Sequence, residues 1–129
     1  AYLHSLNMAH RDIKCDNLLV EKNGDVKLAD FGQSKDASEV LKTVTGTAYF
    51  MAPEVIKGEV YTLAADMWSF GCAVIEMLTG RPPYTEFEHQ WAAMYHISHD
   101  DPQTQFPADV SPETHEFLGC CMVRNPQKR

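Results

Sequence analysis

The stretch HRDIKCDN, residues 10–17, decides the reading of the chain. It sets His10, Arg11, Asp12, Lys14, Asp16 and Asn17 around only two apolar-leaning residues, Ile13 and Cys15. In an extended segment, side chains two apart point to the same side. Asp12 and Lys14 therefore face together, an acid beside a base. That pairing suits a reaction in which a hydroxyl is oriented while a negatively charged group is held.

The residues that follow extend this site. In LLVEKNGDVKLAD (18–30), β-leaning arms at 18–20 and 26–28 flank Asn23-Gly24-Asp25, residue types that tolerate the positive φ of a tight turn. A hairpin returns its ends to each other. Asn17 lies just before it and Asp30 just after, so their oxygens can converge on one point. Two hard oxygen ligands, completed by water and phosphate oxygens, suit Mg²⁺. No His or Cys pair brackets the point, so zinc fits poorly. Taken singly, Asp12 and Asp30 could each be an ordinary loop or turn aspartate.

Further along, residues 31–51 read as a long, mostly polar loop, a kind usually functional in compact domains. Residues 52–58 suggest one or two helical turns ended by Gly58. Residues 62–79 form the strongest helical pattern, with Thr62 as a cap and Gly80 in the left-handed position past the end. Its apolar residues run nearly all round, which marks a buried helix. A second helix is expected over 87–99, and a third begins at Ser111-Pro112-Glu113, with its apolar stripe at Phe117, Leu118, Cys121 and Met122. Before the opening stretch, residues 1–9 read as the last turns of a helix. The fold class is mainly α with a small β-hairpin.

HRDIKCDN, then Asp30-Phe31-Gly32, then GTAYFMAPE (46–54) and DMWSFG (66–71) together resemble the C-terminal lobe of a eukaryotic protein kinase. Each motif alone is weak. Four in order at family spacing are specific, and the resemblance covers essentially all of residues 1–129, read as one domain fragment with cuts at both ends. The roles below are those of that general kinase template. The resemblance implies that Asp12 accepts the substrate hydroxyl proton. A free Asp has a pKa near ~3.9, so orienting the hydroxyl matters as much as removing its proton. It implies that Lys14 steadies the transferring phosphoryl charge, that Asn17 and Asp30 hold Mg²⁺, and that Leu19 and Ala29 floor the ATP pocket. Thr47 resembles the threonine that bridges Asp12 and Lys14 in serine/threonine kinases. Arg11 resembles the arginine that pairs with a loop phosphate, with Thr43 the first candidate phosphosite and Thr45 and Ser38 competitors. Asp66 resembles the residue that holds the catalytic loop through backbone N–H groups. Glu54 resembles the partner of a late arginine, here Arg129, in a pair expected to be weakened by the adjacent terminal carboxylate. Cys15 and Asp16 read as incidental. VKLADFGQSK (26–35), GTAYFMAPEVI (46–56) and residues 66–84 look most like the MAP kinase kinase kinase branch, although Phe50 stands where many relatives carry Trp.

Composition bounds the rest. The 129 residues suffice for one modest domain. Eleven Lys and Arg against 18 Asp and Glu give a net charge of −7, which disfavours a nucleic-acid partner. No uninterrupted apolar run long enough for a membrane span occurs. The four cysteines match no disulfide framework, and reduced thiols in a cytoplasmic protein are expected. The expected partner is a protein substrate, a MAP kinase kinase among the candidates, and no membrane. No two of the seven glycines can build a Gly-x-Gly-x-x-Gly loop. The resemblance thus implies an absent N-lobe, to be supplied in cis, and an inactive isolated fragment. A non-catalytic interaction module of kinase fold is the alternative.

Overall fold

A computed structural model describes residues 2–31, 35–36, 48–60 and 62–129. Thr43, Thr45, Thr47 and Ser38 lie outside the described residues, as do Gly32 and Gly46. A short helix α1 (Tyr2–Ser5) ends where Asn7 takes a φ of 57°. That left-handed residue turns the chain, so Met8–Ala9 forms strand β1 rather than continuing the helix expected over 1–9. The polar stretch 10–17 follows and closes on a 3₁₀ turn at Cys15–Asn17. Strands β2 (Leu18–Val20) and β3 (Val26–Leu28) then pair antiparallel, with Leu19 opposite Lys27. Gly24 supplies the turn's positive φ of 90°, and its N–H bonds the Glu21 carbonyl at 2.9 Å. The hairpin therefore forms where the sequence places it. Strand β4 (Lys35–Asp36) pairs antiparallel with β1.

The helical body begins with a 3₁₀ turn at Ala48–Phe50 and helix α2 (Pro53–Ile56). Helix α3 (Leu63–Thr79) is the central element. Thr62 sits at its cap position, but the hydroxyl makes no capping bond, contrary to expectation. Gly80 ends it with φ 76°, its N–H on the Glu76 carbonyl at 2.8 Å. Trp68, Cys72, Ala73 and Ile75 are buried, whereas Met77 and Leu78 near its end are exposed. Helix α4 (Gln90–His99) starts three residues later than the apolar pattern predicts. Phe87 stays outside it and stacks on His96 at 3.8 Å. Helix α5 (Pro112–Cys121) is capped as expected, Ser111 Oγ accepting the Thr114 N–H at 3.2 Å.

These helices share one core of Trp68, Cys72, Ile75, Tyr84, Ile97, Leu118 and Met122. Burying each large side chain of this set contributes about 1.5–3 kcal/mol. Gly71 lets α5 approach α3. A Cβ there would stand 2.9 Å from Met122 Cγ and 3.0 Å from Cys121 Cβ. Phe117 is half exposed and meets Phe70 edge-on at 6.1 Å. The fold is thus mainly helical with small two-stranded sheets, as expected.

Candidate active site

The loop of residues 10–17 is held from below by α3. Asp66, fully buried in the first turn of that helix, accepts the His10 N–H at 2.8 Å and the Arg11 N–H at 3.0 Å. His4 Nε2 donates to the same carboxylate at 3.0 Å. A buried carboxylate is tolerable only when its lone pairs are satisfied in this way. Arg11 takes a φ of 71°, which turns the chain between the anchored His10 and Asp12.

His10 is wholly buried, and its ring joins two parts of the site. Nε2 donates to the Ala29 carbonyl at 3.0 Å, and Nδ1 accepts the Asp12 N–H at 3.3 Å. The two bonds require the neutral ring with its proton on Nε2. Phe31 sits edge-on to that ring at 5.1 Å. Cys15 is not incidental: its thiol donates to the Ala73 carbonyl at 3.4 Å and packs against the core. Burial pushes that thiol up to about 12.

Lys14 Nζ lies 3.2 Å from Asp12 Oδ2, as the two-residue spacing predicts. The Asn17 side-chain N–H₂ donates to the Asp12 carbonyl at 2.7 Å and to Asp12 Oδ2 at 3.0 Å. These two bonds engage the Asn17 side-chain nitrogen and leave Oδ1 outside them. The Ala29 N–H bonds the Asn17 carbonyl at 2.8 Å, which ties the two ends of the hairpin together. Asp30 follows directly at φ 59°, exposed. Among the described residues no group of three or more His, Cys, Asp or Glu could hold a metal. The oxygen donors of Asn17 and Asp30 are of the hard type that suits Mg²⁺. Leu19 is exposed on β2 and Ala29 half-buried. The structure thus brings Asp12, Lys14 and Asn17 together and joins Ala29 to Asn17.

Far below, Glu54 and Arg129 form a wholly buried bidentate pair at 2.7 and 3.1 Å. The guanidinium also donates to the carbonyls of Ala64, Val123 and Arg124 and lies over the Trp68 ring. The pair expected to be weakened is geometrically complete. His4 and Cys15 are the residues that the sequence did not single out. No motif marks His4, whose partner is 62 positions away.

The buried Asp66 anchor, the cluster of Asp12, Lys14 and Asn17, and the hairpin leading to Asp30 stand together in one lobe. The chain matches the Protein kinase domain family over residues 1–129 and belongs to it. Among its relatives is mitogen-activated protein kinase kinase kinase 3 of Arabidopsis thaliana, 45% identical over 99% of the chain and 20% of the relative. Mitogen-activated protein kinase kinase kinase A of Dictyostelium discoideum is 41% identical over 100% of the chain and 14% of the relative. The human mitogen-activated protein kinase kinase kinase 3 is 43% identical over 99% and 21%. The chain therefore spans about a fifth or less of these relatives' length.

Proposed function

We propose that the protein carrying this chain is a serine/threonine protein kinase that transfers the γ-phosphoryl group of ATP to hydroxyls of a protein substrate. By likeness to relatives named mitogen-activated protein kinase kinase kinases, it acts in a MAP kinase cascade, on a MAP kinase kinase. The observation that carries the reading is the Asp12 carboxylate, set between the Lys14 ammonium at 3.2 Å and the Asn17 amide at 3.0 Å. Asp12 orients the attacking hydroxyl and receives its proton. Lys14 offsets charge on the transferring group, because a positioned cation stabilises charge where it develops. Asn17 Oδ1 and the Asp30 carboxylate would hold Mg²⁺. The bound ion and nucleotide supply phosphate charge neutralisation and the phosphoryl group itself.

Leu19 and Ala29 form the pocket floor, and Thr47 bridges Asp12 and Lys14. Arg11 receives a phosphate carried by Thr43 or Thr45 and so couples activation to the loop that Asp66 anchors. The exposed apolar strand residues Leu19, Val20 and Val26 suit cover by an N-lobe from the same longer protein. Without it, residues 1–129 alone neither bind ATP tightly nor turn over. The test is radiolabel transfer from γ-labelled ATP to protein serine or threonine, with and without Mg²⁺. Transfer by the full-length protein and none by the 129 residues supports the reading. A full-length protein that transfers nothing to any protein hydroxyl replaces it with a non-catalytic module of kinase fold.

A further inference from the structure

The outer end of the β2–β3 hairpin carries a reactive pair. Asn23 is followed by Gly24, and both are exposed. An asparagine side chain is an electrophile for the backbone nitrogen of the next residue, and how fast the ring closes depends on what that residue is. Gly24 has no side chain to hinder the approach and is conformationally the freest residue type. Nothing lies within 4 Å of the place a Cβ would take there. The other asparagines are worse placed. Asn125 precedes Pro126, whose nitrogen carries no hydrogen to lose. Asn7 and Asn17 precede Met8 and Leu18, whose side chains crowd the attack. Asn17 is also buried, with its amide nitrogen held by Asp12. Asn17 is thus protected and Asn23 is not.

Hydrogen bonds at the tip bear on both the reaction and its consequence. The Asp25 N–H donates to Asn23 Oδ1 at 3.1 Å, which polarises the amide carbonyl. The Asn23 amide nitrogen donates to Asp25 Oδ2 at 2.8 Å. The Gly24 N–H donates to the Glu21 carbonyl at 2.9 Å, and this bond must open before the nitrogen can attack. It is an exposed turn bond, of the kind that opens locally without global unfolding.

We infer that Asn23 is a site of spontaneous deamidation whose products loosen the β2–β3 hairpin. The Gly24 nitrogen loses its proton to solvent base and bonds to Asn23 Cγ. The Cγ–Nδ2 bond breaks and ammonia leaves, giving a succinimide. Water then opens the ring. Hydrolysis at Cγ yields aspartate, and hydrolysis at the main-chain carbonyl yields isoaspartate. In the aspartate product a carboxylate replaces the donor that faced Asp25 Oδ2. Like charges so placed repel, and Lys27 on β3 is already paired with Glu21. In the isoaspartate product the main chain runs through the former side chain. The added carbon displaces the Gly24 N–H from the Glu21 carbonyl and strains the Glu21 N–H bond to the Asp25 carbonyl, 2.8 Å long before the change. Either product weakens the turn that sets Val20 opposite Val26. This chemistry is independent of phosphoryl transfer.

The test ages the full-length protein at neutral and at alkaline pH and follows residues 1–129 by peptide mapping. Isoaspartate is read by methyl transfer from labelled S-adenosylmethionine with a protein isoaspartyl methyltransferase. Amide-to-acid conversion should appear at Asn23 before Asn7 or Asn17, with isoaspartate among the products, and faster at alkaline pH because the nitrogen attacks as its anion. Asn23→Gln should abolish the isoaspartate signal from this hairpin. The aged fraction, separated by its added negative charge, and the Asn23→Asp variant should both exchange the amide hydrogens of residues 18–28 faster than the fresh protein. Conversion at Asn7 or Asn17 ahead of Asn23, aspartate at 23 without isoaspartate, or unchanged exchange in the aged fraction would overturn the inference. So would a folded protein that keeps Asn23 intact while the urea-unfolded protein converts it, because the turn would then shield the residue.

Discussion

The carboxylate of Asp66 receives the backbone N–H of His10 at 2.8 Å across 56 positions of sequence. A single buried side chain on α3 thereby fixes where the loop of residues 10–17 sits, and its second oxygen does the same for Arg11. Asp66→Ala leaves two backbone donors without their acceptor in a buried place. Each such orphan costs about 1–3 kcal/mol. Urea unfolding should show a loss of that order or larger, and kcat should fall as well. His4→Ala removes only the half-exposed donor and should cost about 1 kcal/mol. Equal losses for the two variants would contradict the anchoring role.

Glu54 and Arg129 form the other buried tie, and all five guanidinium N–H donors have acceptors. Glu54→Ala leaves Arg129 charged and unpaired in the core, a change that costs about 3–5 kcal/mol. Since the pair is bidentate and closed, the loss should appear in residues 1–129 as well as in a longer chain. Melting of the 129 residues unchanged by Glu54→Ala would show that the pair gives no support there.

The thiols set an alkaline limit. Burial pushes Cys15 up to about 12 and Cys121 to about 11, from an ordinary thiol value of 9.0, and raises Cys72 further. Below pH ~8 these groups are protonated in both states and contribute no pH dependence. Above 9.0 the unfolded chain releases these protons first, so stability should fall as pH rises toward the folded values. Urea midpoints at pH 7.5, 9 and 10.5 check this: flat at first, then descending. Exposed Cys120 should alkylate well before the other three. Early reaction at Cys15 would contradict its packed, hydrogen-bonded place.

Local chemistry made much of the fold legible. Asn23-Gly24-Asp25 specified the hairpin, Gly80 the end of α3 and Ser111 the start of α5, because turns and caps are written in adjacent residues. The two-residue pairing of β1 with β4 carries too little pattern to see. The late start of α4 depends on Phe87 finding the His96 ring, a tertiary choice that periodicity does not encode. In the site, spacing alone put Lys14 beside Asp12, and the hairpin joined the Asn17 carbonyl to Ala29, the residue before Asp30. The His4 bond to Asp66 and the Cys15 bond to Ala73 join residues about 60 positions apart, and neither has a local signature. Thr47, Thr43 and Thr45 lie outside the described residues, so their roles stand on the family pattern.

The most direct measurement is phosphoryl transfer from ATP to protein serine or threonine by the full-length protein and its Asp12→Asn variant, both shown to be folded. Asparagine keeps the shape of Asp12 but loses the negative charge that orients and accepts from the hydroxyl. Loss of a positioned general base costs about 10²–10⁴-fold in rate. Robust transfer by the parent is expected, with a fall in kcat of that size for Asp12→Asn and an unfolding free energy within about 1 kcal/mol of the parent's. A variant that transfers as fast as the parent would contradict the assignment of Asp12, and with it the reading of the loop as the reacting centre.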